Sequence, residues 1–216
     1  MHANFGMFAL LCLSLSGASA WCAPLRAEKS LFDGKSTEGW EMVGPGRFVI
    51  QDGLLKTEGG MGLLWYTKET FGDCVIRVVY KTTNPSDNSG VFIRIDGAPK
   101  DPWHAVHHGF EVQIDDGGDD WHRSGAIYSM SKAMAKPGKL NEWNTMEITL
   151  RGEEIAVDLN GVPVTRFNPS KDEIPPRTKP YEPERGPRPT KGYIGLQNHH
   201  AGSDVLFREV TVRPLP

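Results

Sequence analysis

Glu111, Gln113 and Asp115 stand at alternate positions of GFEVQIDD, residues 109–116. Successive side chains of a strand point to opposite faces. These three polar groups therefore share one surface, and Phe110, Val112 and Ile114 share the other. Upstream, NSGVFIRIDG (88–97) alternates in the same way, with Val91, Ile93 and Ile95 on one face and Phe92, Arg94 and Asp96 on the other. Two adjacent strands of this kind each bury an aliphatic row and present a row of Arg, Glu, Gln and Asp. An ordinary solvent face has that pattern too; a ligand-binding face is the sharper alternative.

The segment joining the two runs holds Trp103 and the histidines His104, His107 and His108 (WHAVHH), and His122 follows the acidic stretch DDGGDDW. His199 and His200 follow Leu196-Gln197-Asn198 near the other end of the chain. A loop histidine is most often solvated, yet imidazole is the most available general base near neutral pH. Trp103 and Trp121 lie in loops beside histidines and, with Tyr128, are candidates for a wall against which a ring stacks. Trp65 and Trp143 read as core.

Ordinary glycosidase chemistry fits this strand poorly. It uses two carboxyls about 5–5.5 Å apart for retention or about 6.5–9.5 Å apart for inversion. The middle position here is Gln113, which does not titrate, and Glu111 and Asp115 are about 13 Å apart along a strand. The acidic run 115–120 offers oxygen ligands for a calcium ion but does not match an EF-hand loop, and a solvated acidic turn is the simpler reading. No cofactor is implied with certainty; a divalent metal ion stays open. P-loop, dinucleotide-glycine, HExxH and GxSxG motifs are absent.

These residues must be positioned by a β-rich scaffold. The 216 residues allow one sizeable core, and 24 glycines with 16 prolines mark many turns. Strand patterns fall at 48–50 and 54–56 around Asp52-Gly53, a two-residue hairpin signal. Others fall at 62–67, 73–82, 125–129, 143–150, 155–160, 162–167, 192–197 and 204–213. No helix longer than two turns is indicated. The pattern predicts an all-β, two-sheet antiparallel jelly-roll sandwich. Residues 168–191 hold seven prolines and no periodicity; such a long connection is usually functional or mobile, and it is expected to border the cleft.

A net charge of -3 without a basic stripe excludes a nucleic-acid binder of the basic-groove kind. The N-terminal run MHANFGMFALLCLSLSGASA is too short for a comfortable membrane span and ends in Ala18-Ser19-Ala20, the small residues a secretory peptidase accepts. Residues 1–20 are expected to be a cleaved signal peptide and 21–30 a tether before the domain at 31–216. That implies export to the periplasm or extracellular space without stable membrane insertion. Cys12 leaves with the leader. Cys22 and Cys74 allow one disulfide at most, and Cys74 reads as a buried apolar residue.

Taken in order, LFDGKSTEGW, NSGVFIRI, GFEVQIDD, SGAIYS, NEWN, VDLNGVPV, GYIGLQNHH and VLFREVTV resemble the 3-keto-disaccharide hydrolase family, over nearly the whole of 31–216. The resemblance implies a concanavalin A-like fold of the lectin and glucanase type. It also implies a secreted enzyme cleaving 3-keto-glycosides or 3-keto-disaccharides, with a separate 3-glycoside oxidoreductase supplying the substrate. It favours deprotonation at C2, elimination of the C1 substituent and hydration, a route that does not need two carboxylates at glycosidase spacing. Carried over by motif, Glu111, His199 and Arg94 are the expected catalytic groups, with His199 or Glu111 as base and Arg94 as enolate partner. Gln113, Asp115, His107, Trp103, Trp121, Tyr128 and Gln197 are the expected substrate contacts. The chain departs from the family pattern in having His200 where a Gly is usual and in its Pro-rich stretch. A non-catalytic carbohydrate-binding module is the competing reading, since fold does not fix function.

Overall fold

A computed structural model describes residues 1–2 and 27–216. The expected leader with its cleavage after Ala20, most of the tether, and Cys22 lie outside the described residues. In chain order the elements are β1 (Lys29–Ser30), β2 (Trp40–Val43), β3 (Arg47–Gln51), β4 (Leu54–Glu58), β5 (Gly62–Tyr66), β6 (Cys74–Lys81) and β7 (Asn88–Ile95). A short helix α1 (Pro102–His108) follows, then β8 (Phe110–Asp115), β9 (Asn144–Arg151), β10 (Glu154–Leu159), β11 (Val162–Phe167), β12 (Tyr193–Asn198) and β13 (Leu206–Pro214). They form an all-β sandwich of two antiparallel sheets. One runs β11-β10-β9-β6-β13-β4-β3 with β1 on β13; the other runs β2-β5-β12-β7-β8.

The core between the sheets is built by alternation. Ile76, Val78 and Tyr80 of β6 and Met146, Ile148 and Leu150 of β9 face Leu64, Val91, Ile93, Val112, Ile114 and Leu196 of the five-stranded sheet. Cys74 is buried among them with no disulfide partner among the described residues, and burial pushes its thiol pKa up to about 12. Trp40 closes one end, its Nε1–H donating to the Leu31 carbonyl at 2.6 Å. The Asp52-Gly53 hairpin forms as its signal predicts, with both residues at positive φ.

The outer face of the five-stranded sheet is divided. One half carries a second apolar cluster of Leu63, Trp65, Phe92 and Ile95, roofed by Ala105 and Val106 of α1. This helix replaces the loop expected at 102–108. Asp101 caps it by accepting the His104 N–H at 3.1 Å and Pro102 opens it, the pairing a helix N-terminus favours. The other half carries the polar row of β8.

Two details depart from the pattern. Val91, Ile93 and Ile95 do not share a face, because the β7–β12 register shifts between the Gly195↔Phe92 and Tyr193↔Ile95 pairs. Arg94 is the extra residue, at φ 54°, and the bulge inverts the parity beyond it. Ile95 thus joins Phe92 on the outer face. Residues 125–129 are not a strand; Gly125 and Ser129 have positive φ, so the segment turns. It attaches to the free edge of β8 through Gln113 N–H to Ala126 O and Tyr128 N–H to Glu111 O, both 3.0 Å.

Candidate functional site

The polar half of the outer face is the floor of a cavity of about 490 Å3, lined by Asn88, Glu111, Gln113, Asp115, Gln197 and His199. Met61, Trp103, Val106, His122, Tyr128 and Tyr181 complete its walls. The floor follows from register. Asn88 lies opposite Asp115, Gly90 opposite Gln113 and Phe92 opposite Glu111, so β7 and β8 present a single patch. Gln113 Nε2 donates to Asn88 Oδ1 and Asn88 Nδ2 to Asp115 Oδ2, each at 3.1 Å. The Asp115 carboxylate also accepts the Gly117 and Gly118 N–H groups at 2.8 and 3.0 Å. Asp115 is thereby held as an orienting group.

Glu111 is placed differently. Its side chain lies over Gly90, where an added Cβ would run into Glu111 Oε1 and come within 2.7 Å of its Cγ. Only glycine leaves that space. The residue is 4% exposed, and burial pushes its carboxyl pKa up to about 8, opposed by the neighbouring Gln197 amide. Burial disfavours the ionised form of a carboxyl that lacks a cationic partner. Glu111 Oε1, Gln113 Oε1 and Gln197 Oε1 are all buried without a hydrogen-bond partner among the described residues. Buried polar atoms are ordinarily paired, so three unpaired acceptors on one floor suit a ligand that brings several hydroxyl groups.

His199 arrives from the loop after β12. That loop is anchored by Ser203, whose Oγ donates to Asn88 O and accepts Asn88 N–H, both 2.7 Å, and by Asp87, which accepts Asp204 N–H at 3.0 Å. The His199 ring is open to solvent on one side but crowded on the other. That crowding and the adjacent His200 hold its pKa below the ordinary imidazole value. The two imidazoles meet at 2.9 Å between their Nδ1 atoms, a contact in which one nitrogen carries the proton and the other accepts it. Tyr128 is raised to about 12 by burial and then by the nearby Glu111, so it keeps its O–H at neutral pH.

The expected residues Glu111, Gln113, Asp115, Trp103, Tyr128, Gln197 and His199 are thus brought together. Arg94, His107 and Trp121 are not among the cavity's lining. The bulge turns Arg94 away from the floor, and its guanidinium donates to the carbonyls of Gly152, Glu153 and Glu154 at 2.6, 3.0 and 3.4 Å. It therefore braces the β9–β10 turn and does not face a substrate. His107 stacks beneath Trp103, with rings 6.1 Å apart and 22° from parallel. Trp121 lines a shallow neighbouring cleft, with Lys132 Nζ 5.1 Å over its ring.

Asn88, His122 and Tyr181 are cavity residues missing from the expected set. Parity extended back from Phe92 reaches Asn88; nothing local singles out Tyr181. His122 sits in a chain that looks catalytic: Nδ1 is 2.7 Å from Asp119 Oδ1 and Nε2 is 3.2 Å from Ser129 Oγ. Yet the Ser129 and Met130 N–H groups already donate to Trp121 O and Ile127 O, leaving no amide pair beside Ser129 to hold an oxyanion. Both imidazole nitrogens are engaged within the protein, so His122 offers the cavity its ring rather than a lone pair. The acidic run is likewise engaged: Asp116 accepts Thr82 and Ser124 hydroxyls, and Asp120 pairs with Arg123. Among the described residues, no group of three or more His, Cys, Asp or Glu side chains is disposed to hold a metal ion.

With this geometry in hand, residues 27–213 match the model of the 3-keto-alpha-glucoside-1,2-lyase-like domain. The chain belongs to that family. Members of the 3-keto-alpha-glucoside-1,2-lyase-like family act on glycosides, and that function extends to this chain. A crystal structure from Parabacteroides distasonis, described as a candidate glycosyl hydrolase, is 31% identical. The match has a TM-score of 0.71 and covers 88% of this chain and 100% of the other. A second such protein from the same organism is 22% identical, with a TM-score of 0.69, covering 88% and 94%. The carbohydrate-binding module CBM66 of Bacillus subtilis shares the fold at 14% identity and a TM-score of 0.56, covering 81% and 95%. A comparison with curated proteins found no match.

Proposed function

We propose that the protein cleaves 3-keto-glycosides by eliminating the C1 substituent across C1–C2. The observation that carries this reading is the pair of oppositely shifted groups in one cavity: His199 held below and Glu111 held above their ordinary pKa values. At neutral pH the imidazole is free to accept a proton and the carboxyl is protonated and able to donate one. Such a divergence assigns base and acid. A ketone at C3 acidifies the C2 proton. His199 removes it, and the electron pair moves into a C2–C3 double bond with negative charge on the C3 oxygen.

That oxyanion needs donors. Arg94 is unavailable, so neutral donors take its place: the Glu111 carboxyl, the Tyr128 hydroxyl and the Gln197 carboxamide. Preorganised donors in a site shielded from water are worth far more than in solution. When the charge returns from oxygen, the C1–O bond breaks and the leaving oxygen takes the proton that His199 removed from C2, which restores the neutral imidazole. Water then adds across the unsaturated ketone at C1 to give the free 3-keto-sugar. Oxidation of a sugar C3 hydroxyl, by a separate enzyme, must supply the substrate.

A binding module of the same fold is the competing reading. A binder needs hydrogen bonds to hydroxyls but gains nothing from a carboxyl buried at a cost to stability, and perturbed groups in a cleft favour catalysis. The test is release of the aglycon from a 3-keto-glucoside across pH. The rate should fall at low pH, below the ordinary imidazole value, as His199 protonates. It should fall again near pH 8 as Glu111 loses its proton. A rate that instead rises through pH 8 makes Glu111 the base; no release at any pH removes the enzymatic reading.

A further inference from the structure

The cavity's lining is of two unlike kinds. Its floor holds the carboxyl, carboxamide and imidazole groups described above. Met61, Val106, Trp103 and Tyr181 add apolar and aromatic surface to the same cavity. Trp103 and Tyr181 are 46% and 51% exposed, so both rings are accessible to a ligand. We propose that these two rings form a leaving-group subsite that takes a planar aryl aglycon, a reading that rests on the cleavage reaction proposed above.

Both rings are fixed in advance. Trp103 is stacked on His107 and stands on the first turn of a capped helix. Tyr181 lies in a turn of the Pro-rich segment, between Pro180 and Pro183. That turn is pinned by Glu182, which accepts the Thr178 N–H at 3.0 Å and the Thr178 hydroxyl at 2.7 Å. Arg185 then ties it to the Ser129 carbonyl at 3.0 Å. Rings held in position lose little freedom when a ligand arrives, and the affinity benefits accordingly. A second pyranose would need partners for its several hydroxyls, and Met61 and Val106 offer none. A flat aryl group needs only faces and edges, which Trp and Tyr provide.

The test measures binding of inert, unoxidised phenyl glucoside and methyl glucoside by calorimetry, with release from the corresponding 3-keto-glucosides assayed in parallel. The wild type should favour phenyl over methyl. Tyr181→Ala and Trp103→Ala should each lower that preference roughly two- to tenfold, the range of one aromatic contact, and Tyr181→Phe should retain it. A phenyl-to-methyl ratio near one in the wild type, or one unchanged in both alanine variants, overturns the subsite. A phenyl preference lost in those variants without release from either 3-keto-glucoside supports the aryl subsite and overturns the elimination reading instead.

Discussion

The buried Glu111 carboxyl makes a stability prediction that does not depend on knowing the substrate. Its pKa is about 8 in the folded protein against an ordinary 4.5. A raised carboxyl pKa means that the folded state holds a proton the unfolded state has lost. Stability from this group is fully present below pH 4.5 and is lost as pH rises through 8. The interval spans about 3.5 pH units at about 1.4 kcal/mol each, on the order of 4–5 kcal/mol in all. Glu111→Gln keeps the shape and removes the ionisation. Urea unfolding of both proteins at pH 5, 7 and 9 isolates the effect as their difference, since other groups titrate alike in each. With a slope of about 3 kcal/mol/M, the wild-type midpoint should drop relative to the variant by about 1.3 M between pH 5 and pH 9, part of the loss having occurred below pH 5. A constant difference, or a wild type that gains on the variant as pH rises, would show that Glu111 is ionised in the fold and unable to act as a proton donor.

Other consequences are checked more simply. His199→Ala should reduce release from a 3-keto-glucoside about 10²–10⁴-fold, the usual effect of deleting a positioned acid–base group, with the unfolding midpoint little changed. Gly90→Ala should fold, because the atoms in the way belong to the flexible end of Glu111, yet it should lose turnover and the alkaline limb of the pH profile as the carboxyl is displaced. Arg94→Lys should cost about 2 kcal/mol of stability, since an ammonium cannot reproduce a fork of donors to several carbonyls, while the folded fraction retains its rate. Denaturant titration and rates normalised to folded protein separate these two effects.

The alternation of β8 was legible because both its faces are committed, one to the core and one to the cavity, and a period of two admits a single assignment. Asn88 was legible by the same rule, since it shares the parity of Phe92 and stands at the start of the same run. Arg94 was not legible. Period-two reasoning assumes an unbroken ladder, and a non-glycine residue at positive φ is uncommon enough that NSGVFIRI carries no mark of it. Helix α1 was hidden by its length, since seven residues are too few to show a helical period; only the Asp101-Pro102 pair signals it. The Pro-rich segment has no local pattern to read. Arg188 fixes it by donating to Gly109 O at 2.6 Å and His107 O at 2.9 Å, contacts some eighty residues away in sequence.

The bulge has a chemical consequence as well as a geometric one. Had Arg94 faced the floor, a guanidinium close to Glu111 would have favoured its ionised form and lowered its pKa. The carboxyl would then be a weak base at neutral pH, with no proton to give. With Arg94 committed to the β9–β10 turn, burial dominates at Glu111 over the opposing Gln197 amide, and its pKa rises toward the range where a proton can be both held and released. Among the described residues, the cavity's lining holds no Lys or Arg to bind an anionic ligand. The floor is thereby suited to an uncharged, polyhydroxylated ring whose charge appears only during the reaction. A single left-handed residue in β7 thus decides both the side to which an arginine turns and the charge environment of the Glu111 carboxyl.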